Sequence, residues 1–164
     1  MSDNPQDVPS LTQGMTFEQM EAGLKFRTSK RTITEADLMS FVNLFGFNEP
    51  LFYDASNAAE SNYTGRLCPG AFVYCMAEGL VLQTHALHGT GMAFLHMDLD
   101  IKKPTYVGDT IYAVVEITGC RPTSAGDRGI VDSTISIYNQ RDELTVVFTP
   151  RRMIRGRSYQ PASK

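Results

Sequence analysis

A chain of 164 residues, 42% hydrophobic and 20% charged, is long enough to pack one domain, cramped for two, and too apolar for wholesale disorder. Its formal net charge of −3 and pI of about 5.6 exclude nucleic acid as the main ligand. Cys68, Cys75 and Cys120 show no CxxC spacing, so they frame neither a zinc site nor a disulfide network, and reduced thiols in a cytoplasmic protein are expected.

Residues 1–15 are polar, aperiodic and without an apolar signal core, and read as a loose leader to a domain over residues 16–156. The first ordered piece is Leu24–Ile33, short and partly β-branched, which predicts a strand. Thr34 then caps a helix over Glu35–Phe45, with Asp37 at the third helical position as in a capping box. Leu38, Phe41, Val42 and Phe45 form its apolar stripe, for which Phe45 is expected in the core, and Gly46 ends it. Pro50 makes residues 46–54 irregular, and Asp54 is placed to cap a short helix over Ala55–Asn62.

After a loop over Tyr63–Gly70, Pro69 and Gly70 start a second helix running to about His88. It is apolar on most of its circumference, which predicts burial. The apolar stretch Ala71–Leu82 is broken by Glu78 and is too short to span a bilayer, so a soluble protein with no membrane partner is expected. Beyond Gly91 the pattern is all strand. In Phe94–Ile101, Leu95, Met97, Leu99 and Ile101 share one face, against His96, Asp98 and Asp100. Thr110–Thr118, Ile130–Tyr138 and Leu144–Met153 follow, the last two joined by the turn Asn139–Asp142. Residues 157–164 read as a tail. The order of elements predicts an α+β domain, an antiparallel sheet wrapped around a long buried helix.

Two clusters carry little chemistry on this reading. Arg151, Arg152, Arg155 and Arg157 read as a solvated strand end and tail, with contact to an anionic ligand as the sharper alternative. His85, His88 and His96 read as solvated or structural, because the pair His85 and His88 lacks a third metal ligand.

Three motifs, in order, resemble the MaoC-like family of (R)-specific enoyl-coenzyme A hydratases and acyl dehydratases, over residues 17–154. They are Thr32–Asp37 followed by Phe41, then Gly46-Phe47-Asn48-Glu49-Pro50-Leu51-Phe52-Tyr53-Asp54, then Lys103-Pro104 with Val107-Gly108-Asp109-Thr110. The resemblance implies a single hotdog domain that pairs through its sheets, with no cofactor and no metal. In the family the second motif reads Gly-Asp-x-Asn-Pro-Leu/Ile-His-x-Asp, and its Asp and His hold the water that adds to an enoyl thioester. Here the Asp position is Phe47, the His position Phe52 and the Asn position Glu49. General acid–base work demands groups that titrate near the working pH, and phenylalanine has none.

The resemblance therefore implies a hydratase- or dehydratase-like protein of the lyase type, working on acyl-coenzyme A or another acyl thioester with an altered site. The alternatives are a non-catalytic acyl-thioester-binding or heteromer subunit, and a lyase- or isomerase-like enzyme on another small apolar substrate. Glu49 is the candidate acid or base, and the Gly70 N–H the candidate donor to the thioester carbonyl. Phe47, Asn48, Phe52, Tyr53, Pro69 and Phe72 are the candidate substrate wall. A homodimer is the expected assembly, or a heterodimer with a catalytically complete homologue.

Overall fold

The computed structural model describes residues 12–57 and 61–161. Six strands form one antiparallel sheet: β1 (Lys25–Arg27), β2 (Arg31–Thr32), β3 (Gly91–Ile101), β4 (Thr110–Pro122), β5 (Arg128–Tyr138) and β6 (Leu144–Arg155). The strand order is β1-β4-β5-β6-β3, and β2 also pairs with β4. The expected strand over Leu24–Ile33 is thus two short ones. Thr28 interrupts it, its Oγ1 accepting the Ala113 N–H at 2.9 Å.

Helix α1 (Glu35–Phe45) begins as expected. Thr34 Oγ1 accepts the Asp37 N–H at 3.2 Å, and the Asp37 carboxylate accepts the Thr34 N–H at 2.9 Å. The Thr34 hydroxyl and the Arg31 guanidinium hold the Asp37 carboxyl below its usual range, against the opposing effect of burial. Gly46 closes the helix at φ 69°, a left-handed conformation that favours glycine. The stripe is buried at Leu38 and Val42, but Phe45 is 61% exposed, contrary to expectation. It sits on the last turn, its ring 4.8 Å from that of Phe41.

The segment after Gly46 also differs. Pro50 does not bar a helix there but starts one, α2 (Pro50–Tyr53), because a proline at the first helical position gives up an N–H that has no partner anyway. Asp54 follows this helix as its C-cap and binds the Ser56 N–H at 2.9 Å. The helix expected over Ala55–Asn62 therefore does not begin at Asp54, and part of it lies outside the described residues.

Helix α3 (Gly70–Gln83) is shorter than expected, since Thr84 turns back to the Val81 carbonyl at 2.7 Å and His85 takes φ 61°. It buries Phe72, Val73, Ala77, Leu80 and Val81 against β4 and β6, where Ile111, Ala113, Val146, Phe148 and Ile154 point inward. Burial is one-sided, however: Ala71, Cys75 and Leu82 remain exposed.

The expected inward face of β3 is open too, with Leu95, Leu99 and Ile101 exposed by 46%, 38% and 48%. Among the described residues β3 is an edge strand paired only with β6, and α3 packs on β4 and β6 instead. At the chain's start, Gly14 and Met15 do not hang free. Their N–H groups bond to the carbonyls of His88 and Ala86, at 2.9 and 2.8 Å. The rest of the expected leader, residues 1–11, lies outside the described residues. No described helix is long and apolar enough to cross a membrane.

Candidate functional site

Phe52 of α2 meets the first residues of α3 in a cavity of about 290 Å³, lined also by Tyr63, Pro69, Gly70, Ile101 and Lys103. Each wall has a sequence reason to be there. Pro69 occupies the N-cap of α3 with no side chain able to accept a hydrogen bond, so the first N–H groups of the helix keep no capping partner. Gly70 leaves room for the close approach of β3, since a Cβ there would meet Ile101 Cδ1 at 2.7 Å unless that side chain moved.

A series of rings leads from the surface to this cavity. Phe41 touches Phe45, Phe47 and Phe72 at centroid distances of 4.8, 5.0 and 5.4 Å, and Phe47 reaches Phe52 at 6.3 Å. These tilted and edge-on pairs suit aromatic quadrupoles and form a continuous apolar body. Phe52 faces the cavity, while half-buried Phe47 stands one ring further out and does not line it.

Of the residues predicted for the site, Phe52, Pro69 and Gly70 come together at the cavity. Asn48 and Glu49 are exposed on the turn before α2, and Tyr53 is about half exposed. Phe72 belongs to the core. Glu49 carries no side-chain hydrogen bond among the described residues and faces solvent.

Arg66 was not anticipated. Its Nε–H donates to the Phe52 carbonyl at 3.1 Å and its Nη2 pairs with Glu35 at 3.1 Å, which pins α2 to α1. The only sequence signal for it is a single arginine in an otherwise uncharged loop. Next to it, Cys68 is buried, and burial pushes its thiol up to about 12, so it is no nucleophile at neutral pH. Lys102 and Lys103 stand at the mouth, held by Asp100 and Glu143. The Gly-Asp-Thr motif proves architectural: buried Asp109 accepts the Tyr106 N–H and the Gln140 amide, both at 2.8 Å. The described residues hold no cluster of His, Cys, Asp or Glu able to bind a metal.

The sequence and fold match known proteins over the same span. The family model for the FAS1-like dehydratase domain region matches residues 21–148. An (R)-specific enoyl-CoA hydratase of Aeromonas caviae is 32% identical over 132 residues, 80% of this chain and 93% of that protein. The chain belongs to the MaoC-like hydratase and dehydratase family. Its hotdog fold is seen again in two solved structures. A monoamine oxidase regulatory protein from Archaeoglobus fulgius superimposes with a TM-score of 0.80 at 27% identity, over 91% of this chain and 97% of that one. A Mycobacterium tuberculosis protein described as a double hotdog fold gives 0.77 at 21% identity, over 91% of this MaoC-like chain and 47% of its own.

Proposed function

We propose that this MaoC-like protein binds an acyl thioester in the cavity at the start of α3 and does not itself supply the proton-transfer pair for hydration. The observation that carries this reading is the Phe47–Phe52 contact. Where the family resemblance expects an Asp and a His, two rings lie 6.3 Å apart, and neither can move a proton. Glu49, facing water, does not replace them. What the cavity does offer is binding. Phe52 gives an apolar wall for the acyl chain, the uncapped N–H of Gly70 is available to donate to a thioester carbonyl, and Lys102 and Lys103 suit an anionic carrier such as coenzyme A.

The open edge of β3 adds a second subunit to this reading. An eleven-residue edge strand with Phe94, Leu95, Leu99 and Ile101 exposed is an unprotected pairing surface. Because Ile101 also lines the cavity, a subunit paired along β3 would border the thioester site. The double hotdog protein, of which this chain spans about half, supports pairing of two such domains. An identical partner gives a homodimer without the acid–base pair; a homologue carrying Asp and His gives a heterodimer that has it.

The test is hydration of crotonyl-coenzyme A, followed by loss of enoyl-thioester absorbance. The natural chain is expected to bind without turnover, and Phe47→Asp with Phe52→His to gain activity. Turnover by the unsubstituted chain would sink the proposal.

A further inference from the structure

A second cavity, of about 460 Å³, lies beyond the C-terminal end of α3 and is lined by His88, Thr90, Arg155, Arg157 and Tyr159 among others. We propose that it is a binding site for a phosphate group. The inference rests on these residues and is independent of the thioester reading.

Thr90 is only 6% exposed, and its Oγ1 is buried with no hydrogen-bond partner. The Nε of Arg155 is likewise buried and unpartnered. The two residues are tied together, the Arg155 N–H donating to the Thr90 carbonyl at 2.8 Å. A hydroxyl and a guanidinium N–H thus lie buried behind the wall of one polar cavity with nothing to donate to, and buried donors are costly to leave unmatched. The missing partner is an acceptor.

The charge makes that acceptor an anion. Among the described residues neither Arg155 nor Arg157 forms an ion pair, whereas Arg128 nearby is satisfied by Asp127 at 2.7 Å. Tyr159 covers the Arg155 guanidinium at 4.7 Å, which leaves its edge to donate in plane. Glu18 is the acid behind this wall. Its Oε1 accepts the Arg157 N–H at 3.1 Å, and it does not line the cavity. A tetrahedral oxyanion seated against this wall can accept from the Arg155 guanidinium beside Thr90, with Arg157 adding charge and the His88 ring at the rim.

Calorimetric titration of the full chain with inorganic phosphate, at constant ionic strength, tests the site. Saturable binding is expected, with acetate at least about tenfold weaker. Arg155→Gln and Arg157→Ala should each weaken phosphate binding by about tenfold, and Thr90→Val by several-fold. Phe52→Ala should leave it unchanged, which separates this site from the thioester cavity. If Arg155→Gln does not fold, Thr90→Val and Arg157→Ala decide. Adenosine monophosphate binding more tightly than phosphate assigns a nucleotide phosphate; equal binding assigns the free ion. No saturable binding, acetate binding as tight as phosphate, or unchanged affinity in Thr90→Val and Arg157→Ala overturns the proposal.

Discussion

The Nε–H of Arg66 reaches the carbonyl oxygen of Phe52 at 3.1 Å, so a loop arginine sets the position of the ring that faces the cavity. Replacing Arg66 by alanine leaves that carbonyl without its donor and frees Glu35. The loss should be about 1–3 kcal/mol, or roughly 2–4 °C of melting temperature for each kcal/mol in a domain of this size. Lysine should not rescue it, because one ammonium cannot hold both a carbonyl and a carboxylate in the planar fork. Thermal unfolding with and without crotonyl-coenzyme A reads both effects, and an unchanged melting curve would show that Arg66 is not a brace.

Gly70 and Ile101 make a second test, since a Cβ at Gly70 would lie 2.7 Å from Ile101 Cδ1. The clashing atom is the end of a half-exposed side chain, so Gly70→Ala should fold. The displaced Ile101 would narrow the cavity, and thioester affinity should drop by about tenfold. Adding Ile101→Ala should restore much of it, because the two positions share one space. Full affinity in Gly70→Ala would place the acyl group elsewhere.

These residues also show what could be read from the chain and what could not. The strands expected at β5 and β6 and the Thr34–Asp37 box translate directly into structure, because local propensity, turns and caps are set by neighbours in sequence. Alternation in β3 marks two faces equally well, yet says nothing of its place at the edge, which depends on where α3 packs. Phe45 fails for the same reason: a helical stripe says which residues align, not how far the partner surface extends. At the site, Phe52 and Gly70 were legible through motif position. The Arg66–Phe52 bond joins residues 14 apart through a loop, and no periodicity announces such a contact.

Glu78 interrupts the apolar run of α3 for a reason found only in the fold. Both its carboxylate oxygens lie 2.7 Å from Nη2 of Arg152, whose guanidinium rests over the Phe94 ring at 5.1 Å. Arg152, expected at a solvated strand end, is buried. Glu78→Ala should cost about 3–5 kcal/mol by stranding a buried cation, while Glu78→Leu with Arg152→Leu should recover most of that loss. Denaturant unfolding of the three proteins reads the difference. Equal loss in the single and double variants would contradict it.

The exposed edge of β3 predicts the mass in solution. Light scattering should give twice the 18.2 kDa of one chain, and Leu99→Asp should reduce it to one. Leu99 shares its face with Met97 and Ile101 but is 38% exposed at the open edge, so the variant's thermal unfolding is read beside its mass to show that the domain stays closed. An unsubstituted chain that runs as a monomer at high concentration would remove β3 as the interface.

Cys68 links the site to pH. Burial raises its thiol from the usual 9.0 to about 12 in the folded chain, with Asp109 and Glu35 adding to the effect. Below pH 9 both folded and unfolded chains hold the proton, and the folded state bears no penalty. Above pH 9 the unfolded chain ionises first, so stability should fall as pH rises towards 12, by up to about 1.4 kcal/mol per pH unit. Cys68→Ala should flatten that alkaline slope while lowering stability at neutral pH through the lost packing. Thiol labelling at pH 8 gives an independent reading: exposed Cys75 and Cys120 should react in the native state, and Cys68 only as the chain unfolds. Native-state labelling of Cys68 at the rate of the other two would mean that the loop between α2 and α3 opens, carrying with it the wall formed by Pro69 and Gly70.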